Sequence, residues 1–332
     1  MINLQNYGGT PFVLGVPHFK RQGEFMIISA SRRTDILAFY SEWFINRLKE
    51  GYALIPNPRN ADRLGRVELS PENVDCIVFW TKNPIPMFDK LEALEKMGYK
   101  YYFQFTLTSY DKSIESNLPP KSELIQAFSR LSEKTSAERI VWRYDPIIID
   151  EKHSVAWQIE KFSEMAEQLK AYTKRCIISF VDPYKSIGDT FRALMHNDMT
   201  AIASGFSSVA EKYDIALFTC AEAIDLSQYG IAHASCIDKS LIEQIIGSAI
   251  NAKGDANQRA TCQCIESVDI GVYDTCPNGC AYCYATSNQK TVLRRAYAHD
   301  PNAPMITGYP TGNEIVTDRT TPSQKVNQIS LF

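Results

Sequence analysis

The stretch VDCIVFWTKNPIPMFDKLEALEKMGYKYYFQFTLT, Val74 to Thr108, decides the fold. Two short apolar and β-branched runs, VDCIVFWTK and YYFQFTLT, flank a segment whose apolar residues fall three or four apart, and Gly98 stops that segment. Strand, helix, strand in this order is a βα unit of a parallel sheet. The same alternation runs outward in both directions. MIISAS (Met26 to Ser31) precedes it, and RIVWRYD (Arg139 to Asp145), RCIISFV (Arg175 to Val181) and IALFTC (Ile215 to Cys220) follow. Between them lie the amphipathic segments FYSEWFINRLKEG, which ends at Gly51, SELIQAFSRLSEK and HSVAWQIEKFSEMAEQLKAY. The pattern predicts an α/β protein with a partial (βα)6 TIM-type barrel over residues 26–250. An extension covers 1–25, a cysteine-rich loop region 251–299 and an extended tail 300–332. GIAHASCIDKSLIEQIIG adds one more short strand and helix near the end of the barrel.

Composition permits this. Of 332 residues, 45% are apolar and 22% charged, with 16 Gly and 16 Pro, so fibrous and disordered classes drop out. The N-terminus shows no basic segment followed by an apolar one, and no apolar run is long enough for a span, so a soluble cytoplasmic protein with no membrane partner is expected. A net charge of -3 gives no global attraction to nucleic acid.

Every predicted strand ends in polar residues, and parallel strands gather those ends on one rim, where active sites of barrels sit. The rim candidates are Arg32, Arg33, Thr34 and Asp35; Thr81, Lys82 and Asn83; Thr106, Thr108 and Ser109; Arg143 and Asp145; Ser179 and Asp182; and Thr219, Cys220 and Glu222. Solvated strand ends are the competing reading for each.

Five of the nine cysteines fall between Cys262 and Cys283. An odd count without export signals argues for metal or redox chemistry rather than disulfides. Cys276, Cys280 and Cys283 form C-x3-C-x2-C, which brings three soft thiolates to one centre. Three ligands from one loop suit a [4Fe-4S] cube with one open iron; a structural zinc site remains the alternative. Cys220, Cys236, Cys262 and Cys264 make a second set of four, enough for a closed zinc site or a second cluster, although Cys220 and Cys236 also read as core residues. Cys76 and Cys176 lie in apolar runs and read as core. The five histidines show no zinc-enzyme spacing.

The segment YDTCPNGCAYCYATS resembles the cluster loop of the radical S-adenosylmethionine superfamily, with Tyr282 at the aromatic position. The nearest likeness is to spore photoproduct lyases, on Tyr284 after the third cysteine and on RTDI, Thr81 and Lys82, FTLTS, ESNLPPKSELIQAFSRL and DPIII in the same order. In that family the cluster loop precedes the barrel, so this chain resembles a circular permutation of it. The whole chain is also similar to an uncharacterised bacterial family, a domain of unknown function with this cysteine cluster at its C-terminus.

The resemblance implies a [4Fe-4S] cluster on Cys276, Cys280 and Cys283 and S-adenosylmethionine as cofactor, cleaved to a 5′-deoxyadenosyl radical. Lys82 would meet the methionine carboxylate and Thr106 or Thr108 its amino group, with Tyr282 also beside the cofactor; from their place on the rim, Arg143 and Asp145 are candidates for contacts to its ribose or to substrate. It further implies an electron donor such as flavodoxin or ferredoxin. The lyase's hydrogen-donating cysteine beside the TDI motif is replaced here by Arg32 and Arg33. Arg32, Arg33, Lys82 and Arg143 on the rim, with Arg59, Arg63 and Arg66 in the loop NPRNADRLGR after the first helix, read as a basic groove for a nucleic-acid substrate, in repair or modification, or as paired surface charges. The terminal QISLF, Gln328 to Phe332, is similar to the peptide by which bacterial proteins hold the sliding clamp. The alternative function is a non-catalytic binding protein stabilised by zinc or an iron-sulfur cluster.

Overall fold

The computed structural model describes residues 26–182, 184 and 190–319. The N-terminal extension and QISLF lie outside the described residues. In chain order the elements are β1 (Met26–Ala30), α1 (Ile36–Phe39), α2 (Ser41–Glu50), β2 (Tyr52–Asn57), β3 (Asn60–Glu68), β4 (Val74–Thr81), α3 (Leu91–Lys96) and β5 (Tyr101–Thr106). They continue with α4 (Lys121–Lys134), β6 (Ile140–Ile147), α5 (Val155–Leu169), β7 (Arg175–Phe180), α6 (His196–Lys212) and β8 (Ala216–Thr219). The last are β9 (Ala232–His233), α7 (Lys239–Ile246), β10 (Val268–Asp269), α8 (Gln289–Tyr297) and β11 (Ile315–Arg319).

The main sheet has eight strands in the order β10-β1-β4-β5-β6-β7-β8-β9, and every neighbouring pair is parallel. β10 and β9 are its two edges, so the barrel is not closed. All six predicted strands are present, and the short strand expected in GIAHASC is β9. The eighth, β10, is the correction: two residues long, it carries no run of its own and is held by the pairing of Val268 with Ile28.

Both sheet faces are dry, which is why the central strands read as unbroken apolar runs. Alternate residues point to opposite faces. Ile28, Ile77, Phe79, Phe103, Trp142 and Ile178 pack into the large core with side chains of α2 and α4 to α6. Ile27, Cys76, Val78, Tyr102, Val141 and Ile177 pack on the other face against Leu241 and Ile242 of α7 and Ile250 and Ile265 of the following loop. Cys76 and Cys176 are core residues, as expected. Gly51 takes the left-handed conformation, φ 79°, that ends α2.

The expectation of a loop over NPRNADRLGR is overturned. Residues Asn57 to Arg66 form the turn of a β2–β3 hairpin and most of β3, and β11 extends this small sheet from the tail as β11-β3-β2. The Asn, Pro and Arg content reads as loop, but Leu64 and Val67 are buried and anchor the strand. β11 has mostly exposed side chains, so its backbone ladder, with the Asp318–Arg66 pair, holds it and no pattern marks it in the tail. No helix among the described residues is long and apolar enough to cross a membrane.

Candidate metal and cofactor site

The period of two along the strands fixes which rim residues face inward. On the face covered by α7, Val78 is followed by Trp80, Val141 by Arg143 and Asp145, Ile177 by Ser179, and Phe218 by Cys220. These side chains, with Thr106 and Lys82, line a cavity of about 960 Å³ above the strand ends. Both cysteine sets line the same cavity: Cys276, Cys280 and Cys283, and Cys220, Cys236, Cys262 and Cys264.

The first set sits on the loop after β10. Asp35, at the start of α1, is its buried anchor. Its carboxylate accepts hydrogen bonds from Thr81 Oγ1 (2.8 Å), Lys82 N (2.7 Å), Ala38 N (3.1 Å) and Asn278 Nδ2 (3.3 Å). Burial raises the Asp35 carboxyl above its ordinary value, and those donors oppose the rise. The ESN segment after β5 forms the other side of the cradle. Asn117 Nδ2 donates to Pro277 O (2.7 Å), Ser116 Oγ to Gly279 O (3.0 Å), and Ala281 N to Ile114 O (2.8 Å). Gly279 has φ 67°, and a Cβ there would lie 2.3 Å from Ser116 Oγ. Glycine is therefore required between Cys276 and Cys280 for the loop to close against ESN.

Glu115 is the charged hub beneath this loop. It accepts from Lys82 Nζ (2.8 Å) and Thr108 Oγ1 (3.1 Å), and also pairs with Lys121 and the Tyr282 hydroxyl. Burial would raise its carboxyl, but the two ammonium groups outweigh burial and bring it down to about 2. Burial lowers Lys82, yet Glu115 leaves it above its ordinary value; for Lys121 burial wins. The Lys82 ammonium lies 5.3 Å from the Tyr282 ring centroid. Burial pushes the Cys280 thiol up to about 12 against the pull of Lys82, and raises Cys276 as well.

Of the residues expected around a cofactor, Lys82, Thr106, Arg143 and Tyr282 line the cavity. Thr108 does not: fully buried, it supports Glu115 instead, because β5 ends at Thr106 and the chain turns away. Asp35 appeared among the rim candidates, and ESN in the resemblance, but their work as loop anchors was not legible. Glu115 lies outside every named strand and helix; it opens the ESN motif, but nothing in the sequence marked it as the partner of Lys82 and Tyr282.

In the second set, Cys220, Cys236 and Cys264 place their sulfurs within 4.8 Å of one another, the one such group of metal-ligating atoms among the described residues. Cys236 and Cys220 are 2.8 Å apart, and Cys220 and Cys264 raise the nearby Cys262 thiol. Hydrogen bonds from Cys220, Cys236 and Cys262 lower the Cys264 thiol. Arg143 Nη1 lies 2.5 Å from Cys236 Sγ, and its Nη2 pairs with Asp145. Arg32 and Arg143 lie 5.6 and 5.3 Å from the Trp80 ring centroid.

Of the arginines in the hairpin, Arg59 reaches the cavity, where Arg33, Arg259 and Arg319 join it. Arg66 does not: it pairs with Glu68 and Asp318 and lies over Tyr52.

No curated protein matches the chain. Among solved structures it is loosely similar to a candidate alpha-L-fucosidase from Bacteroides thetaiotaomicron. Identity there is 11%, with 48% of this chain and 68% of that chain covered and a TM-score of 0.21. A second likeness is to the C-terminal domain of a candidate chitinase from Desulfitobacterium hafniense. Identity is 9%, coverage 89% of this chain and 66% of that chain, and TM-score 0.23. Neither TM-score supports an argument about fold or function. One family model covers residues 27–285, all eight strands of the main sheet and both cysteine sets, and on that match the chain belongs to DUF1848, a domain of unknown function.

Proposed function

We propose that the protein is a radical S-adenosylmethionine enzyme whose [4Fe-4S] cluster is held by Cys276, Cys280 and Cys283. The observation that carries the reading is the placement of these thiols. They face a cavity over parallel strand ends, on a loop anchored by Asp35, Asn117 and Ser116. The donor set fits the group. Its soft thiolates suit iron, and three of them leave one iron of a cube open. When bound, such a cluster supplies the electron that cleaves S-adenosylmethionine and so yields a 5′-deoxyadenosyl radical.

This chain's residues bind and orient. At about 960 Å³ the cavity is at the upper end of the roughly 300–1,000 Å³ of small-molecule and cofactor sites, enough for a cofactor and part of a substrate. Lys82, fixed by Glu115 and Tyr282, presents a positive charge to a carboxylate, and Thr106 offers a hydroxyl beside it. Arg143 and Asp145 form a fixed ion pair on the same cavity wall. The position of β10 beside β1, with the cysteine loop directly after it, supports a permuted arrangement. A loop preceding the barrel would also start at that edge.

Arg59 and Arg319 on the cavity wall, beside Arg33 and Arg259 that pair there with Asp269 and Asp182, favour an anionic substrate, for which nucleic acid is the proposed class. The electron would come from a flavodoxin- or ferredoxin-like donor. The test is anaerobic reconstitution with iron and sulfide, then reduction in the presence of S-adenosylmethionine. The wild type is expected to release 5′-deoxyadenosine, and Cys280→Ala to release none. Equal cleavage by both would overturn the assignment.

A further inference from the structure

We infer that Cys220, Cys236, Cys262 and Cys264 form a second, closed site for a single tetrahedral divalent cation, best matched by zinc, in the wall of the cavity that the cluster loop also lines. Four-thiolate zinc has Zn–S bonds of about 2.3 Å, so its sulfurs lie about 3.8 Å apart. The sulfurs of Cys220, Cys236 and Cys264 are already gathered to within 4.8 Å; Cys262 lies outside that group, on the same cavity wall, and would swing in as the fourth ligand. An ion there needs Cys220 and Cys236, now 2.8 Å apart, to part by about 1 Å. An iron-sulfur cube spreads its thiolates over separate irons and would need a wider ring.

The backbone is built to hold these positions. Tyr102 Oη and Gln104 Nε2 both donate to Cys236 O, at 2.7 and 2.6 Å. Ile237 N donates to Cys264 Sγ (3.4 Å), Asp255 N to Cys264 O (2.9 Å), and Thr261 Oγ1 to Ala221 O (3.0 Å). Ala221, directly after Cys220, is held at φ 58°, a left-handed conformation that a non-glycine residue keeps only where its surroundings impose it.

Charge matches too. As the ion enters, four thiol protons leave to solvent and the centre carries a net charge of about -2. The guanidinium of Arg143 already lies against Cys236, and Arg32 lies at the same Trp80 ring as Arg143. The ion would tie the end of β8 and the chain after β9 to the 251–266 segment, and so fix that wall of the cavity. With four protein ligands it keeps no open position, so its role is to shape the site rather than to react.

This inference does not depend on the radical reading. The experiment is metal analysis of the full chain carrying Cys276→Ala, Cys280→Ala and Cys283→Ala together, which removes the other thiolates. About one zinc per chain should remain. Replacement by cobalt should give the intense visible bands of a tetrahedral thiolate centre. Adding Cys236→Ser and Cys264→Ser should lower bound metal at least tenfold. Should that variant fail to fold, Cys262→Ser, at the cavity edge, should still shift the cobalt bands by removing one sulfur. Iron with sulfide in this site, a Cys220–Cys236 disulfide by mass spectrometry, or a cobalt spectrum without thiolate bands would each overturn the inference.

Discussion

Replacing Glu115 by Gln removes the one negative charge that holds Lys82 and Lys121 under the cysteine loop. Its side chain is about 1% exposed, and its oxygens serve Lys82, Lys121, Thr108 and Tyr282. Two routes give the cost. At about 1.4 kcal/mol per pH unit, holding this carboxyl at about 2 rather than at its ordinary 4.5 stabilises the fold by about 3 kcal/mol. Removing one partner of a buried ion pair costs about 3–5 kcal/mol, because the other charge is left uncompensated. A chain of this length loses about 1.4 °C in Tm per kcal/mol, so Glu115→Gln should melt about 4–7 °C below wild type at pH 7. The sign with pH follows from the lowered carboxyl. Its contribution is complete above about 4.5 and is lost as pH falls through about 2, so the gap to the variant should be constant from pH 7 to 5 and shrink in stronger acid. Replacing Glu115, Lys82 and Lys121 together by Gln and two Met should recover most of the loss. Circular dichroism melts under argon are the assay. A gap below 1 °C at pH 7, or one that widens in acid, would refute the reasoning.

Three further perturbations separate anchoring from ligation. Gly279→Ala meets both a left-handed backbone costing about 1–2 kcal/mol and a 2.3 Å approach to Ser116 Oγ; iron retention after reconstitution should fall several-fold, and unchanged retention would contradict the cradle. Asp35→Ala strips four donors of their acceptor and should cost at least about 2 kcal/mol with loss of cluster, read by melting and by visible absorbance. Cys76→Ala, in the dry face of β4, should cost about 1–2 kcal/mol and leave iron and zinc contents unchanged; a lost metal would mean that it is a ligand.

The central strands were legible because a sheet buried on both faces needs continuous apolar runs, and Val74 to Thr81 and Tyr101 to Thr106 supply them. β10 and β11 were not, since two residues cannot display a period and an exposed strand held by its ladder needs no apolar residue. Cysteine spacing marked both thiol sets, but not that they share one cavity. That depends on the chain returning to the β1 edge after the 251–266 segment. Glu115 was invisible for a related reason: its partners Lys82 and Tyr282 lie 33 and 167 residues away. The arginines of NPRNADRLGR divide between the readings open to them, Arg59 at the cavity and Arg66 in surface pairs.

The central claim is that Cys276, Cys280 and Cys283 hold a cluster with an open iron. Electron paramagnetic resonance of the anaerobically reconstituted, reduced protein tests it most directly, alongside iron and sulfide analysis. The account predicts about four irons and four sulfides per chain and a reduced-cluster signal that changes when S-adenosylmethionine is added. Both should be absent when the three cysteines are replaced. A colourless protein that holds zinc and no iron, or a cluster whose signal is indifferent to S-adenosylmethionine, would contradict it.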